Sequence, residues 1–82
     1  MQTIYLDARD FHSAQDVHAA LKLLLDLPDY YGGNADALHD CLSERVTPVN
    51  VSLHGQPEGE AATALGKVKS VAEDLGGTWK DL

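Results

Sequence analysis

Val49-Asn50-Val51-Ser52-Leu53-His54 alternates apolar and polar residues at every step. A period of two puts Val49, Val51 and Leu53 on one face of a strand and Asn50, Ser52 and His54 on the other, so one face is buried and one is wet. Helical patterns stand on both sides of it. On the N-terminal side Ala35, Leu38, Leu42 and Val46 recur at spacings of three and four, with Cys41 beside them, Asn34 as a good cap and Pro48 as a stop. On the C-terminal side Gln56–Glu60 is a polar turn, and Ala61, Ala64, Leu65, Val68, Val71, Ala72 and Leu75 predict another helix. Gly66 weakens that helix by about 1 kcal/mol relative to Ala, and Gly76-Gly77 suits its end.

Farther out, Val17, Ala20, Leu21, Leu24 and Leu25 form the apolar stripe of a first helix. Ser13 caps it, and Asp16 favours the positive end of its dipole, although Asp is not the Glu or Gln of the usual capping box. That helix must stop before Pro28, because the residue preceding proline is pushed out of the α region. Thr3–Asp7 is β-branched and aromatic at its centre and predicts a strand; Thr78–Leu82 predicts a last one. The order is β, α, α, β, α, β. Strands separated by helices require crossovers, which predicts an α/β fold with a small, mostly parallel sheet and helices on one of its faces.

The chain has 82 residues, 44% of them hydrophobic, and six Lys+Arg against thirteen Asp+Glu for a net charge of −7. That is one domain, residues 1–82, with enough apolar content to fold. A domain this short buries only about 60% of its unfolded surface, so its core is thin. The acidic balance argues against nucleic acid, whose counterions are displaced by Lys and Arg, and favours a basic partner. The N-terminus lacks the basic and apolar regions of a signal peptide, and the longest apolar run, Leu23-Leu24-Leu25, cannot cross a bilayer. The expectation is a cytoplasmic protein with no membrane contact.

One cysteine excludes an internal disulfide and a four-cysteine zinc site. His12, His18, His39 and His54 show no ligand spacing, so no metal is expected. His39 and Cys41 cannot form a nucleophile–base pair on one helix, and no G-x-S-x-G or P-loop occurs. Nothing points to an enzyme.

Asp36, Asp40 and Glu44 stand at i, i+4 and i+8 with no Lys or Arg four residues from Asp36 or Asp40 inside the helix. Like charges so placed cost a few tenths of a kcal/mol. The spacing fits a solvated helix face, and it also fits an acidic ridge built to meet cations. Tyr30 and Tyr31 lie in the preceding loop among Pro28, Gly32 and Gly33. A tyrosine beside charge makes a good interface anchor; one ring is expected to be buried under the loop and the other exposed.

Leu27-Pro28-Asp29-Tyr30-Tyr31-Gly32-Gly33-Asn34-Ala35-Asp36-Ala37-Leu38-His39-Asp40-Cys41-Leu42 resembles the central segment of the barstar family, intracellular inhibitors of barnase-type ribonucleases. The pattern L-P-x-Y-Y-G-x-N-x-D-A-L-x-D-C-L is long and rich in special residue types. The order of strands and helices matches in outline over the whole chain. The resemblance implies a barstar-like fold: a small three-stranded parallel sheet with about three helices packed against it. It implies no cofactor, a free monomer, and a 1:1 complex with a small basic ribonuclease whose active site is plugged by the loop and second helix.

Carried over by position, Tyr30, Gly32, Asn34, Asp36 and Asp40 belong to the binding face. Asp40 would stand where a substrate phosphate sits, and Asp36 would pair with a second basic group. The chain departs from the family at His39 and Arg45, where the family has tryptophans, and at Glu44, where it has glycine. His39 and Glu44 share the implied face; His39 would make binding pH-dependent, Glu44 adds an anion, and Arg45 would put a cation near it. The connection after the second strand is short, so the family's short helix there is expected to be reduced or absent. Glu73 is the nearest candidate for the family's contacting acid on the last helix, and Gly77 stands near the family's second cysteine. A rival expectation keeps the fold and gives it a basic non-nuclease partner.

Overall fold

The alternating strand Val49–His54 is the middle of a sheet. β2 (Val49–His54) pairs in parallel with β1 (Gln2–Asp7) on one side and β3 (Thr78–Asp81) on the other. The computed structural model describes residues 2–45 and 48–82. Three helices, α1 (Ala14–Leu24), α2 (Ala35–Ser43) and α3 (Gly59–Asp74), complete the α/β fold. α1 and α2 lie in the crossover from β1 to β2, and α3 makes the crossover from β2 to β3. None of these helices is long and apolar enough to cross a membrane.

The register explains the one-sided core. Ile4, Val51 and Trp79 stand in one row, and Leu6 and Leu53 in the next row of the same face. These residues meet the helices; Ile4, Leu6, Val49, Val51 and Leu53 are buried, and Trp79 packs partly against them. The alternate rows, Thr3–Asn50–Thr78 and Tyr5–Ser52–Lys80, point the other way. Thr3, Tyr5, Thr78 and Lys80 are exposed there. Val17, Leu21 and Leu25 from the α1 region, Leu38 and Leu42 from α2, and the whole Ala61–Ala72 apolar set from α3 close the core. Phe11 and Leu27, both in connections, are buried with them.

The helix ends follow local chemistry. Ser13 Oγ accepts the Asp16 N–H at 3.2 Å. Asp16 in turn accepts the His12 N–H at 2.9 Å, so the box closes one residue earlier than the usual form. α1 ends with Leu27 N–H on Lys22 O and Asp26 N–H on Leu23 O, and α3 with Gly77 N–H on Ala72 O and Gly76 N–H on Glu73 O. Both are Schellman ends. At the first, Asp26 takes the left-handed position, φ 51°. At the second, a side chain on Gly77 would place its Cβ 2.0 Å from the Val49 carbonyl oxygen, so only glycine fits where α3 turns against β2.

Several expectations are corrected. α2 is shorter than its apolar spacing suggested: it closes at Ser43 with Glu44 as C-cap, and Arg45 N–H bonds back to Leu42 O. Val46, expected on the same face, lies outside the described residues. α3 begins at Gly59, because Glu60 suits a first turn and its carboxylate also accepts the Ala14 N–H at the start of α1. Leu24, expected in the core stripe, is 45% exposed. The inward face of α1 is centred on Val17, Leu21 and Leu25 and carries His18, which is buried. A 3-10 turn at Ala8–Asp10 was not anticipated. Asp7 starts it by accepting Arg9 N–H and pairing with the Arg9 guanidinium at 2.8 Å, and that partner lowers the Asp7 pKa to about 2. The short connection from His54 to α3 contains no helix.

Candidate functional site: the tyrosine loop and the acidic edge of α2

The loop between α1 and α2 is tied at both ends. Leu27 is buried and its N–H bonds to Lys22 O. At the far end Asn34 is extended and its Oδ1 accepts the Ala37 N–H at 2.8 Å, satisfying one orphan donor of α2. Gly33 before it has φ +70°, a conformation that a side chain would strain. Between the ends, Tyr31 N–H bonds to Pro28 O at 2.9 Å. That tight turn sends the two tyrosines to opposite sides.

Tyr30 stands on the outside and is 81% exposed. Tyr31 turns inward and packs partly against the core. Its hydroxyl lies 2.5 Å from His18 Nδ1 on α1, with the ring centroids 5.9 Å apart. Burial pushes the Tyr31 pKa up to about 12 and lowers that of His18. One tyrosine inside and one outside is the arrangement expected from the sequence. The partner of the inner one was not anticipated. The available signal was that His18, Leu21 and Leu25 recur at helical spacing, which places the imidazole on the apolar side of α1.

α2 carries the charge. At about 100° per residue, Asp40 stands opposite the buried Leu38–Leu42 stripe, with Asp36 and Glu44 about 40° to either side. Asp36 lies in the first turn, where the helix dipole favours it; Glu44 is the C-cap, where it does not. All three are exposed, and among the described residues none has an ion-pair partner. Ala37 and Cys41 form the flank toward the loop. A Cβ on Gly32 would lie 3.4 Å from Ala37 Cβ, and Tyr30, Cys41 and Glu44 line one shallow groove. His39 is exposed on the flank away from the loop.

The resemblance implies one face of Tyr30, Gly32, Asn34, Asp36, His39, Asp40 and Glu44; all seven are exposed on the loop and α2, with His39 on the flank away from the loop. Asn34 is engaged in its cap, so its Oδ1 is already partly used. Glu73 is exposed in the last turns of α3, beside Ala72, which shares a cleft with Leu42 and Ser43.

Arg45 also lines the groove with Tyr30, Cys41 and Glu44, and its guanidinium is held from the α1 side. Its Nη1 donates to Gln2 Oε1 at 2.8 Å and its Nη2 to Leu25 O, a carbonyl at the C-terminal end of α1, where a cation is favoured. Cys41, expected as a buried small hydrophobe, is only partly buried against the core. Among the described residues no three His, Cys, Asp or Glu side chains converge as a metal-binding set.

Chemically, this surface offers anions and one exposed aromatic ring. "Putative ribonuclease inhibitor YrdF" of Bacillus subtilis (strain 168) is 54% identical over 43 residues, which is 52% of this chain and 47% of that protein. The match thus spans about half the length of that relative. The sequence model of the family described as "Barstar (barnase inhibitor)" matches residues 1–81. With that match over nearly every residue, and with the parallel three-stranded sheet and three helices that the resemblance implied, the chain belongs to the barstar family.

Proposed function

We propose that this protein inhibits a small basic ribonuclease by plugging its active site in a 1:1 complex. The carrying observation is the exposed acidic edge of α2, without an ion-pair partner among the described residues, beside the exposed ring of Tyr30. Asp40, the outermost carboxylate, would sit where a substrate phosphate binds among the enzyme's basic groups. Asp36 would pair with a second cation nearby, and Tyr30 would cover the rim. His39 and Glu44 would flank this centre, while Gly32 and Asn34 would present backbone and amide groups. The family's description and the name of the Bacillus subtilis relative support a ribonuclease as the target.

The charge of −7 supports the same reading, because it steers a basic partner and repels RNA. The protein would therefore present anions where RNA would go. Inside a cell that makes such a ribonuclease it would confer immunity, and no cofactor takes part. The test is inhibition of barnase by the purified protein at micromolar concentration, with stoichiometry from titration calorimetry. Inhibition at one equivalent is expected. No inhibition of barnase or of a panel of similar small basic ribonucleases would refute the proposal and favour a basic non-nuclease partner.

A further inference from the structure

His18 is the one buried polar or charged side chain among the described residues, and it has a single side-chain partner, Tyr31. The pair joins α1 to the loop across thirteen residues of sequence. It lies directly behind the turn that throws Tyr30 outward. The Tyr31 hydroxyl and the imidazole Nδ1 share one hydrogen bond, its direction set by the imidazole tautomer. The outer face of the loop has a much weaker tie, an exposed Lys22–Asp29 pair at 3.8 Å.

We propose that His18 is the positioning residue of the recognition loop: through its hydrogen bond with the Tyr31 hydroxyl it fixes residues 28–34 against α1 and holds Tyr30 and Asn34 ready for the partner. This rests on the reading of that loop as part of the inhibitory face. The loop needs such a tie because Gly32 and Gly33 give its backbone freedom that the partner would otherwise have to remove on binding.

The experiment is amide hydrogen exchange of the free protein, read by NMR, with barnase affinity measured in parallel. The Tyr31 and Ala37 N–H groups report the loop, and those of Val51 and Leu53 report the sheet. Their ratio cancels most of the intrinsic pH dependence of exchange. Tyr31→Phe keeps the ring and removes only the hydroxyl. It is expected to speed loop exchange relative to the sheet about five- to tenfold, the equivalent of one net hydrogen bond, and to weaken barnase binding by a similar factor. In His18→Gln, which keeps a hydrogen-bonding group on α1, the ratio stays closer to native than in Tyr31→Phe.

A ratio in Tyr31→Phe equal to the native one would overturn the proposal, since ring packing alone would then suffice. So would faster loop exchange with unchanged barnase affinity. A native protein that binds no barnase would refute the inhibitor reading by itself, while the exchange ratios would still decide whether His18 holds the loop.

Discussion

Asp40→Ala separates binding from stability. Among the described residues the Asp40 carboxylate receives no hydrogen bond and no ion pair, while its backbone oxygen accepts from Ser43 Oγ at 2.9 Å. Removing it therefore leaves no buried group unsatisfied. Alanine in place of aspartate gains about 0.6 kcal/mol of helix propensity. Relief of like-charge contact with Asp36 one turn back, and with Glu44 one turn on, adds about 0.2–0.5 kcal/mol each. The variant should be more stable by roughly 1 kcal/mol, which raises the melting temperature of a domain this size by about 4–8 °C.

Affinity should move the opposite way. Truncating one member of a desolvated charge pair costs about 2–5 kcal/mol at protein–protein interfaces, barnase–barstar among them. That is a loss of about thirtyfold to several thousandfold in Kd. Differential scanning calorimetry and titration calorimetry against barnase, on the same preparations, read both numbers. A melting temperature several degrees lower would show that Asp40 supports the fold. A Kd within about twofold of native would remove Asp40 from the centre of the face, taking about 0.4 kcal/mol as the limit of meaning. A loss equally large in Glu44→Ala, or in Asp74→Ala at the exposed end of α3, would show that the face is misassigned.

Three further outcomes are expected. Gly77→Ala should cost at least about 2 kcal/mol in urea denaturation, because its Cβ would meet the Val49 carbonyl at 2.0 Å and neither backbone can yield; unchanged stability would show that α3 does not approach β2 this closely. Asp26→Gly should raise stability by up to about 1 kcal/mol, since Asp26 holds a left-handed conformation at φ 51° that glycine adopts without strain; a lower denaturation midpoint would refute this. His39→Ala should weaken barnase binding far less than Asp40→Ala, because His39 is exposed on the flank of α2 away from the loop; a loss as large as that of Asp40→Ala, read by titration calorimetry, would move the centre of the face to that flank.

Much of the fold was legible because its signals are local. The alternation in Val49–His54 marks a strand with one wet face, and the apolar spacing in Ala61–Leu75 marks a helix whose inward residues are all at least partly buried. Asn34 reads as a cap because a cap needs only the next turn. The acidic edge of α2 was legible for the same reason, since i, i+4 and i+8 fall on one side of any helix. The end of α2 was less so. Apolar spacing continues to Val46, whereas the described helix closes at Ser43, with Arg45 bonded to Leu42 and drawn away by a carbonyl twenty residues earlier.

By itself, then, the sequence determined the order of elements, the parallel sense of the sheet, the exposed acidic edge and the family resemblance carried by Leu27–Leu42. Periodicity, capping and crossover geometry act over one or two turns or follow from connection length. Tertiary structure alone decided that β2 is the middle strand, that Arg45 faces Leu25 and Gln2 rather than Asp40, and that Tyr31 turns inward onto His18. The first depends on which strands pair, and the other two on which buried or partly buried polar groups meet when separate elements pack. A polar group withdrawn from water takes the partner that packing brings within hydrogen-bond reach, and no spacing along the chain names that partner.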